Sequence, residues 1–258
     1  MLLGVKPDVV IHAAAMKRVE ACEADPDEAL KTNVLGTRHM VRLARRADVP
    51  RVLVISSNKA TSPETCYGKT KALAEEIALG ENVYRGRGRT RVSAVRYGNI
   101  LGSTGSFLDT LWRARQTGSA IPITDGAATR FWWQVSDAAQ FILRVLAAMQ
   151  GTEVWVPKLV SARVVDLAAA IAPASSLVLT GTRGPEKTHE AMINATEARY
   201  TYTYELDDCY VLLPKQGAWS PAPPVGAVRV PDGFTYTSQQ LPQPVRVEFP
   251  ENLLCATT

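Results

Sequence analysis

The sequence predicts an α/β protein in which short strands alternate with helices. Apolar runs rich in β-branched residues at 8–12, 51–55 and 91–97 indicate buried strands. Helical patterns lie between them, at 25–46 and in the segment that begins at Tyr67. Strands and helices that alternate in this way predict a doubly wound, Rossmann-like parallel sheet, and the second half of the chain predicts a smaller α/β domain.

The first strand is followed by Ala13-Ala14-Ala15, and these small residues allow the backbone to come close to a flat ligand. His12, just before them, is expected to have a packing role. In the next helix, Asp25 and Pro26 are typical of an N-cap and a first helical position. Asn33 is a polar residue in the apolar part of that helix, so we expect a hydrogen-bond partner for its amide.

The strongest chemical signal follows the strand at 51–55. Ser56-Ser57-Asn58-Lys59-Ala60 comes directly after it, where a parallel sheet binds ligands, and Tyr67-Gly68-Lys69-Thr70-Lys71 then begins a helix. Tyr67 and Lys71 are four residues apart and therefore share one helix face. A phenol titrates near pH ~10, and a neighbouring ammonium is expected to lower that pKa, which makes the pair a proton acceptor for an alcohol.

The second half contains further ligand-binding signals. The strand at 91–97 leads into a loop at 98–106, whose three glycines allow backbone amides to approach a ligand. The remaining predicted elements are helices at 107–116, 136–149 and 164–171 and a strand at 153–158.

Composition excludes several classes of protein. The 258 residues are 46% hydrophobic and carry a net charge of +4, too small and too dispersed for a nucleic-acid-binding protein. No apolar run is long enough for a membrane span, and the start lacks the features of a signal peptide, so we expect a cytoplasmic protein. Four scattered cysteines have no metal-ligand spacing and are expected to be free thiols: Cys22, Cys66, Cys209 and Cys255.

These motifs resemble the extended short-chain dehydrogenase/reductase family, and within it the inverting UDP-N-acetylglucosamine 4,6-dehydratases. The family pattern Ser-Thr-Asp-Lys-Ala followed by Tyr-Gly-x-x-Lys is similar to residues 56–60 and 67–71. Residues 98–106 resemble Gly-Asn-Val-x-Gly-Ser-x-Gly-Ser, residues 129–131 the Thr-Arg-Phe segment, and residues 183–190 the pattern Arg-Pro-Gly-Glu-Lys-x-His-Glu.

The resemblance assigns roles to individual residues. It implies that the catalytic residues are Tyr67, Lys71, Lys59, Asn58 and Ser57. It implies that NADP or NAD is bound by Ala13, Ala14, Asn33, Tyr67 and Lys71. It implies that the sugar nucleotide is bound by Lys17, Asn99, Arg130, Arg183 and Lys187. In Arg183-Gly184-Pro185 the family's proline and glycine are exchanged, which puts the contacts of Arg183 and Lys187 in question.

Two departures from the family pattern bear on function. No Gly-rich strand–turn–helix precedes the first strand, which aligns with the family's fourth strand, so the sheet is expected to be truncated by about two or three strand–helix units. The pattern's aspartic acid, which protonates the departing hydroxyl, is Asn58 here, and an amide has no transferable proton. Dehydration, UDP-sugar epimerisation, and a non-catalytic sugar-nucleotide-binding or assembly subunit therefore remain alternatives.

The resulting hypothesis is a nucleotide-sugar dehydratase or epimerase that acts on a UDP-N-acetylhexosamine in polysaccharide biosynthesis. The expected domains are 1–106, with 130–160 returning to it, for the cofactor, and 107–258 mainly for the substrate. We expect a homo-oligomer without nucleic-acid or membrane partners.

Overall fold

The computed structural model describes residues 2–86, 88–103, 106–181, 184, 186–204, 208–213 and 221–240. Its strands are, in chain order, β1 Val9–His12, β2 Arg51–Ile55, β3 Arg91–Val95, β4 Asn99–Leu101, β5 Ile121–Ile123, β6 Thr129–Gln134, β7 Val154–Pro157, β8 Val160–Arg163, β9 Leu177–Leu179, β10 Ala191–Ile193, β11 Thr201–Tyr204, β12 Cys209–Leu212, β13 Val228–Arg229 and β14 Tyr236–Thr237. Its α-helices are α1 Leu2–Val5, α2 Val19–Ala24, α3 Pro26–Ala29, α4 Gly36–Arg46, α5 Cys66–Gly80, α6 Phe107–Thr117, α7 Val135–Ala148 and α8 Val164–Ile171.

The chain divides into two compact units. The first consists of Met1–Tyr97, Gln140–Lys158 and Ala191–Thr237. The second consists of Gly98–Ala139, Leu159–Glu190 and Ser238–Thr258. This division is finer than the expected domains, and the assignment of cofactor and substrate to separate domains stays a prediction.

The first unit is built on a sheet with the strand order β1-β2-β3-β7-β12-β11-β13. The pairs β1–β2, β2–β3 and β3–β7 are parallel, and β7–β12, β12–β11 and β11–β13 are antiparallel. The predicted α/β class with a parallel sheet is therefore confirmed. Small and branched apolar residues form the core on one side of this sheet: Val41, Ala44, Val49, Val52, Val54, Ala78 and Val92.

The first strand is less buried than predicted. β1 lies at one edge of the sheet among the described strands, and Val9 and Ile11 are 36% and 46% exposed. His12, the last residue of β1, is buried. Strands of a parallel sheet are continuous apolar runs without alternating polar residues. The sequence of such a run therefore does not show whether the strand lies at the edge or in the centre of the sheet.

The helix predicted at 25–46 is present but irregular. Asp25 caps it, accepting a hydrogen bond from the Glu28 amide at 2.9 Å, and Pro26 occupies the first position. Between α3 and α4 the segment Leu30–Leu35 is a π-helical turn, which sequence patterns do not indicate. Such turns are rare and occur frequently at functional sites.

The second unit contains two smaller sheets, β4-β6-β8 and β5-β9. β4 lies in the predicted Gly-rich loop and pairs in parallel with Trp132–Gln134. This strand was not evident from the sequence, because its conformation depends on a partner some thirty positions away. The core of the unit is apolar: Leu101, Leu111, Ala114, Ile121, Ile123, Trp132, Leu167, Ala168, Ile171 and Ala172.

Candidate active site

The candidate site lies beyond the carboxyl end of β2. There the chain passes through Ser56 and Ser57 into a 3-10 turn at Asn58–Ala60, and then into α5, whose first turns carry Tyr67 and Lys71. Thr65 begins α5, because its hydroxyl accepts a hydrogen bond from the Gly68 amide at 3.0 Å. The structure thus brings the five predicted catalytic residues together on one strand–turn–helix segment.

The turn is held by hydrogen bonds from its own residues. Ser57 Oγ donates to Asn58 Oδ1 at 3.0 Å and accepts from the Lys59 amide at 3.2 Å. The backbone N–H of Asn58 donates to the Tyr97 carbonyl at 3.0 Å. Asn58 is only 3% exposed, so its side chain is packed within the protein at this turn.

α5 contacts this turn directly. A Cβ placed on Gly68 would lie 2.5 Å from the Lys59 carbonyl oxygen, closer than real atoms approach. Only glycine therefore allows the helix to lie this close to the turn. The contact sets the distance between the backbone of Lys59 and that of Tyr67.

Tyr67 is half-buried, and its side chain hydrogen-bonds with Ser57. Burial raises the pKa of the phenol above its ordinary value, and the hydrogen bond with Ser57 lowers it by less. The expectation that Lys71 would lower this pKa is therefore wrong in this structure.

Lys71 is 6% exposed, and its Nζ donates to the Ile55 carbonyl at 2.6 Å. Burial lowers the pKa of this amine to about 8, and the carboxylate of Glu75 opposes the shift. Lys71 therefore stays mainly protonated at neutral pH, and its buried charge destabilises the folded protein.

Asn33 has the partners that a buried amide requires. Its Oδ1 accepts from the Met16 amide at 2.7 Å, and its Nδ2 donates to the Met16 carbonyl at 3.1 Å and to Thr70 Oγ1 at 3.0 Å. Thr70 Oγ1 in turn donates to the Tyr67 carbonyl at 2.9 Å. The loop after β1, with Ala13 and Ala14 exposed in it, is thereby tied to α5.

Thr70 was missed by sequence reasoning. Its neighbours in Tyr67-Gly68-Lys69-Thr70-Lys71 carried the motif, whereas its own role depends on Asn33, far away in the sequence. The adjacency of a small polar residue to the lysine was the available signal.

His12 also joins this network. Its Nε2 lies 3.1 Å from Thr37 Oγ1, which donates to the Asn33 carbonyl at 2.6 Å. Since the Thr37 hydroxyl has one hydrogen, His12 Nε2 is the donor in the first contact. Burial, and then the charge of Lys71, lower the pKa of His12, in keeping with a neutral packing residue.

The residues predicted to bind the sugar nucleotide are distributed over both units. Lys17 is exposed in the loop after β1, in the first unit. Asn99, at the start of β4, and Lys187 are half-buried in the second unit. Arg183 lies outside the described residues.

Arg130 is buried in β6 and is already paired. Its Nη2 lies 2.8 Å from Glu186 Oε1 and its Nε 3.6 Å from Glu190 Oε1. Its Nη1 donates to the carbonyls of Thr129 and Thr188. Its role in binding a diphosphate stays a prediction, and that role would require the anion to compete with two carboxylates.

The part of the chain that the structure describes contains neither a metal-binding cluster nor a membrane-spanning helix. No group of three or more His, Cys, Asp or Glu side chains is arranged to hold a metal ion there. Over the same residues, no helix combines the length and apolarity needed to cross a membrane.

A parallel sheet whose second strand leads through a Ser-Asn-Lys turn into a Tyr-x-x-x-Lys helix defines a Rossmann-like protein of the short-chain dehydrogenase/reductase type. Residues 1–212 match the family described as "Polysaccharide biosynthesis protein". The chain belongs to this polysaccharide biosynthesis family.

Individual relatives agree with this assignment. The chain is 36% identical over 246 residues to a UDP-N-acetylglucosamine 4,6-dehydratase (inverting) of Campylobacter jejuni, a match that covers 92% of this chain and 72% of that protein. It is 32% identical over 192 residues to a UDP-glucose 4-epimerase of Rickettsia rickettsii, covering 73% of this chain and 56% of the epimerase. Among solved structures, Pen from Bacillus thuringiensis superposes with a TM-score of 0.81 at 27% identity, covering 92% of this chain and 73% of Pen.

Proposed function

We propose that the protein is a nucleotide-sugar-modifying enzyme that acts on a UDP-N-acetylhexosamine in polysaccharide biosynthesis. The observation that supports the proposal is the placement of Ser57, Lys59, Tyr67 and Lys71 on one strand–turn–helix segment beyond the carboxyl end of β2, with the side chain of Tyr67 hydrogen-bonded to Ser57. The names of its relatives, a UDP-N-acetylglucosamine 4,6-dehydratase and a UDP-glucose 4-epimerase, support this substrate class.

The site fits the nicotinamide side of NAD or NADP. Lys71 supplies a buried cation, and the small exposed side chains of Ala13 and Ala14 leave room for a flat group at the end of β1. Tyr67 and Lys71 would hold the nicotinamide ribose, and Asn33 would support the loop beneath it. The chemistry that such a cofactor supplies when bound is reversible acceptance of a hydride.

Tyr67 would accept the proton of the sugar's C4 hydroxyl as that carbon is oxidised. The raised pKa of its phenol makes the phenolate scarce at neutral pH, so we expect this step to accelerate as the pH rises. Lys71 Nζ, which donates to the Ile55 carbonyl, would act on the bound cofactor rather than on the phenol of Tyr67. The C4 ketone then acidifies the proton on C5, and the amine of Lys59, in its neutral form, would remove it.

The fate of C6 separates dehydration from epimerisation. In dehydration a group must protonate the departing C6 hydroxyl, and Asn58, which stands where the family pattern has aspartic acid, has no proton to give. In epimerisation no hydroxyl leaves, so Asn58 costs little. This amide is the specific observation that favours an epimerase as the second candidate.

The Asn58→Asp variant tests the assignment. Burial beside the cleft raises the pKa of a carboxyl group there, so part of it stays protonated and can assist a leaving hydroxyl, an effect of ~10²–10⁴-fold. We expect the 4-keto-6-deoxy product to appear or increase, as measured by NMR of the UDP-sugar products with NAD and NADP.

Asn58→Ala is the matched control, because it removes the amide without supplying an acid. The assay compares the parent 258-residue chain with the Asn58→Asp variant, each with NAD and with NADP. Brisk dehydration with Asn58 in place would show that the proton comes from another group. Tight UDP binding without turnover by either protein would support the non-catalytic subunit instead.

A further inference from the structure

A buried arginine joins the elements of the candidate site behind the catalytic residues. Arg96, which follows β3, is 5% exposed. An arginine has five N–H donors, and all five have an acceptor here. Their acceptors are Glu75 Oε2 (3.1 Å from Nε), Glu75 Oε1 (2.7 Å from Nη2), Glu197 Oε1 (2.8 Å from Nη2), Thr61 Oγ1 (3.0 Å from Nη1) and the Met192 carbonyl (3.1 Å from Nη1).

The two carboxylates account for the charge of Arg96. Burial by itself would lower the pKa of the guanidinium, and Glu75 and Glu197 raise it above its ordinary value. A buried cation paired in this way is stable, and removal of Arg96 would leave two uncompensated carboxylates in the interior.

Thr61 connects this ion network to the catalytic turn. It directly follows Asn58–Ala60, and its amide donates to the Asn58 carbonyl at 3.0 Å. Its Oγ1 accepts from Arg96 and donates to the Met192 carbonyl at 3.1 Å. Thr61 is 1% exposed, so water does not reach its hydroxyl to replace either hydrogen bond.

The guanidinium of Arg96 also contacts α5, the helix that carries Tyr67 and Lys71. Glu75 lies four residues after Lys71 on α5, and its carboxylate takes two of the arginine's donors. Arg96 therefore links α5 on one side with Thr61, at the end of the turn, on the other.

We propose that Thr61, held by Arg96, is a positioning residue that sets the turn carrying Lys59 relative to Tyr67. The proposal rests on the proposed function for its chemical consequence, but the ordering of the turn is independent of it. The absence of a side chain at Gly68 lets the turn lie close to α5. The hydrogen bonds of Thr61 keep the turn in that position.

Thr61→Val is the test variant. It preserves shape, removes the hydroxyl, and leaves the ion pairs of Arg96 with Glu75 and Glu197 intact. Thr90→Val is the matched control, because Thr90 is equally buried in the same unit and its hydroxyl has no hydrogen-bond partner among the described residues. Thr61→Ser restores the hydroxyl and should restore each property.

The first measurement is amide hydrogen exchange on the 258-residue chain, without any ligand. In Thr61→Val we expect the amides of Ala60 and of position 61 to exchange about 10-fold faster, since one ordinary hydrogen bond is worth roughly that factor. The amides of β2 and β3 should exchange within 2-fold of the parent rate. Unchanged turn amides, or a uniform increase over the whole sheet, would overturn the proposal.

The second measurement is exchange of the C5 hydrogen of the UDP-sugar with solvent deuterium. A displaced Lys59 should lower the kcat for this exchange by about 10-fold or more, with KM within 2-fold. Faster turn exchange with an unchanged C5 rate would break the link between Thr61 and catalysis. If the parent protein shows no C5 exchange while Thr61→Val still loosens the turn, the proposed function fails and the positioning of the turn stands.

Discussion

The Gly68→Ala variant tests whether the close contact between α5 and the catalytic turn is needed for activity. Alanine favours the helix but cannot fit at this contact. The added Cβ would lie 2.5 Å from the Lys59 carbonyl oxygen, whereas ordinary contact begins at 3.4 Å. The two groups must therefore move apart by about 0.9 Å, the difference between these distances. Because the contacted atom belongs to the backbone, the whole turn has to shift, or α5 has to tilt.

The magnitude follows from two opposing effects. Alanine in place of glycine within a helix stabilises it by about 1 kcal/mol. Forcing one methyl group into a packed site costs about 1–3 kcal/mol. Gly80→Ala is the matched control, since Gly80 ends the same helix and nothing lies within 4 Å of its added Cβ. We expect Gly68→Ala to be less stable than Gly80→Ala by about 1–3 kcal/mol.

The catalytic effect should exceed the effect on stability. A displacement near 1 Å between reacting groups lowers rates by about 10²-fold, so C5 exchange by Gly68→Ala should fall by about that factor. Urea unfolding measures the stability of both variants, and deuterium incorporation at C5 measures the rate. If Gly68→Ala gains stability as Gly80→Ala does and keeps its rate, the close contact inferred between α5 and the turn is refuted.

Three further predictions follow from the site. Tyr67→Phe keeps the ring but removes the phenolic hydroxyl, so turnover should fall at least ~10²-fold while the Kd for the UDP-sugar stays within a few-fold; normal turnover would contradict the catalytic role. Lys71 has a folded-state pKa of about 8, below its ordinary 10.5, so a destabilisation of about 3 kcal/mol is fully present below pH 8 and disappears by pH 10.5. The free energy of unfolding should rise over that pH range relative to Lys71→Met, and a constant difference would refute the shift. Asn33→Asp replaces the amide donor that faces the Met16 carbonyl, so urea unfolding at pH 7 should show a loss of about 1–3 kcal/mol that shrinks at pH 4, where the carboxyl protonates.

Much of the first unit was predictable because local patterns specify it. The strands at 51–55 and 91–95, the cap at Asp25 and the helix that carries Tyr67 follow from apolar runs, capping residues and spacing within a few positions. Neither the π-helical turn at Leu30–Leu35 nor the strand at Asn99–Leu101 was predicted, and the strand depends on a partner that is distant in the sequence.

The sequence by itself determined the fold class, the family and the identity of the candidate catalytic side chains, since each depends on which residue types lie a few positions apart. The tertiary structure decided their electrostatics. Only the folded chain buries Tyr67 enough to raise its pKa, surrounds Arg130 with carboxylates, and brings Arg96 to Thr61. Desolvation and hydrogen bonding act between groups that are close in space, and no pattern of neighbouring letters records those distances.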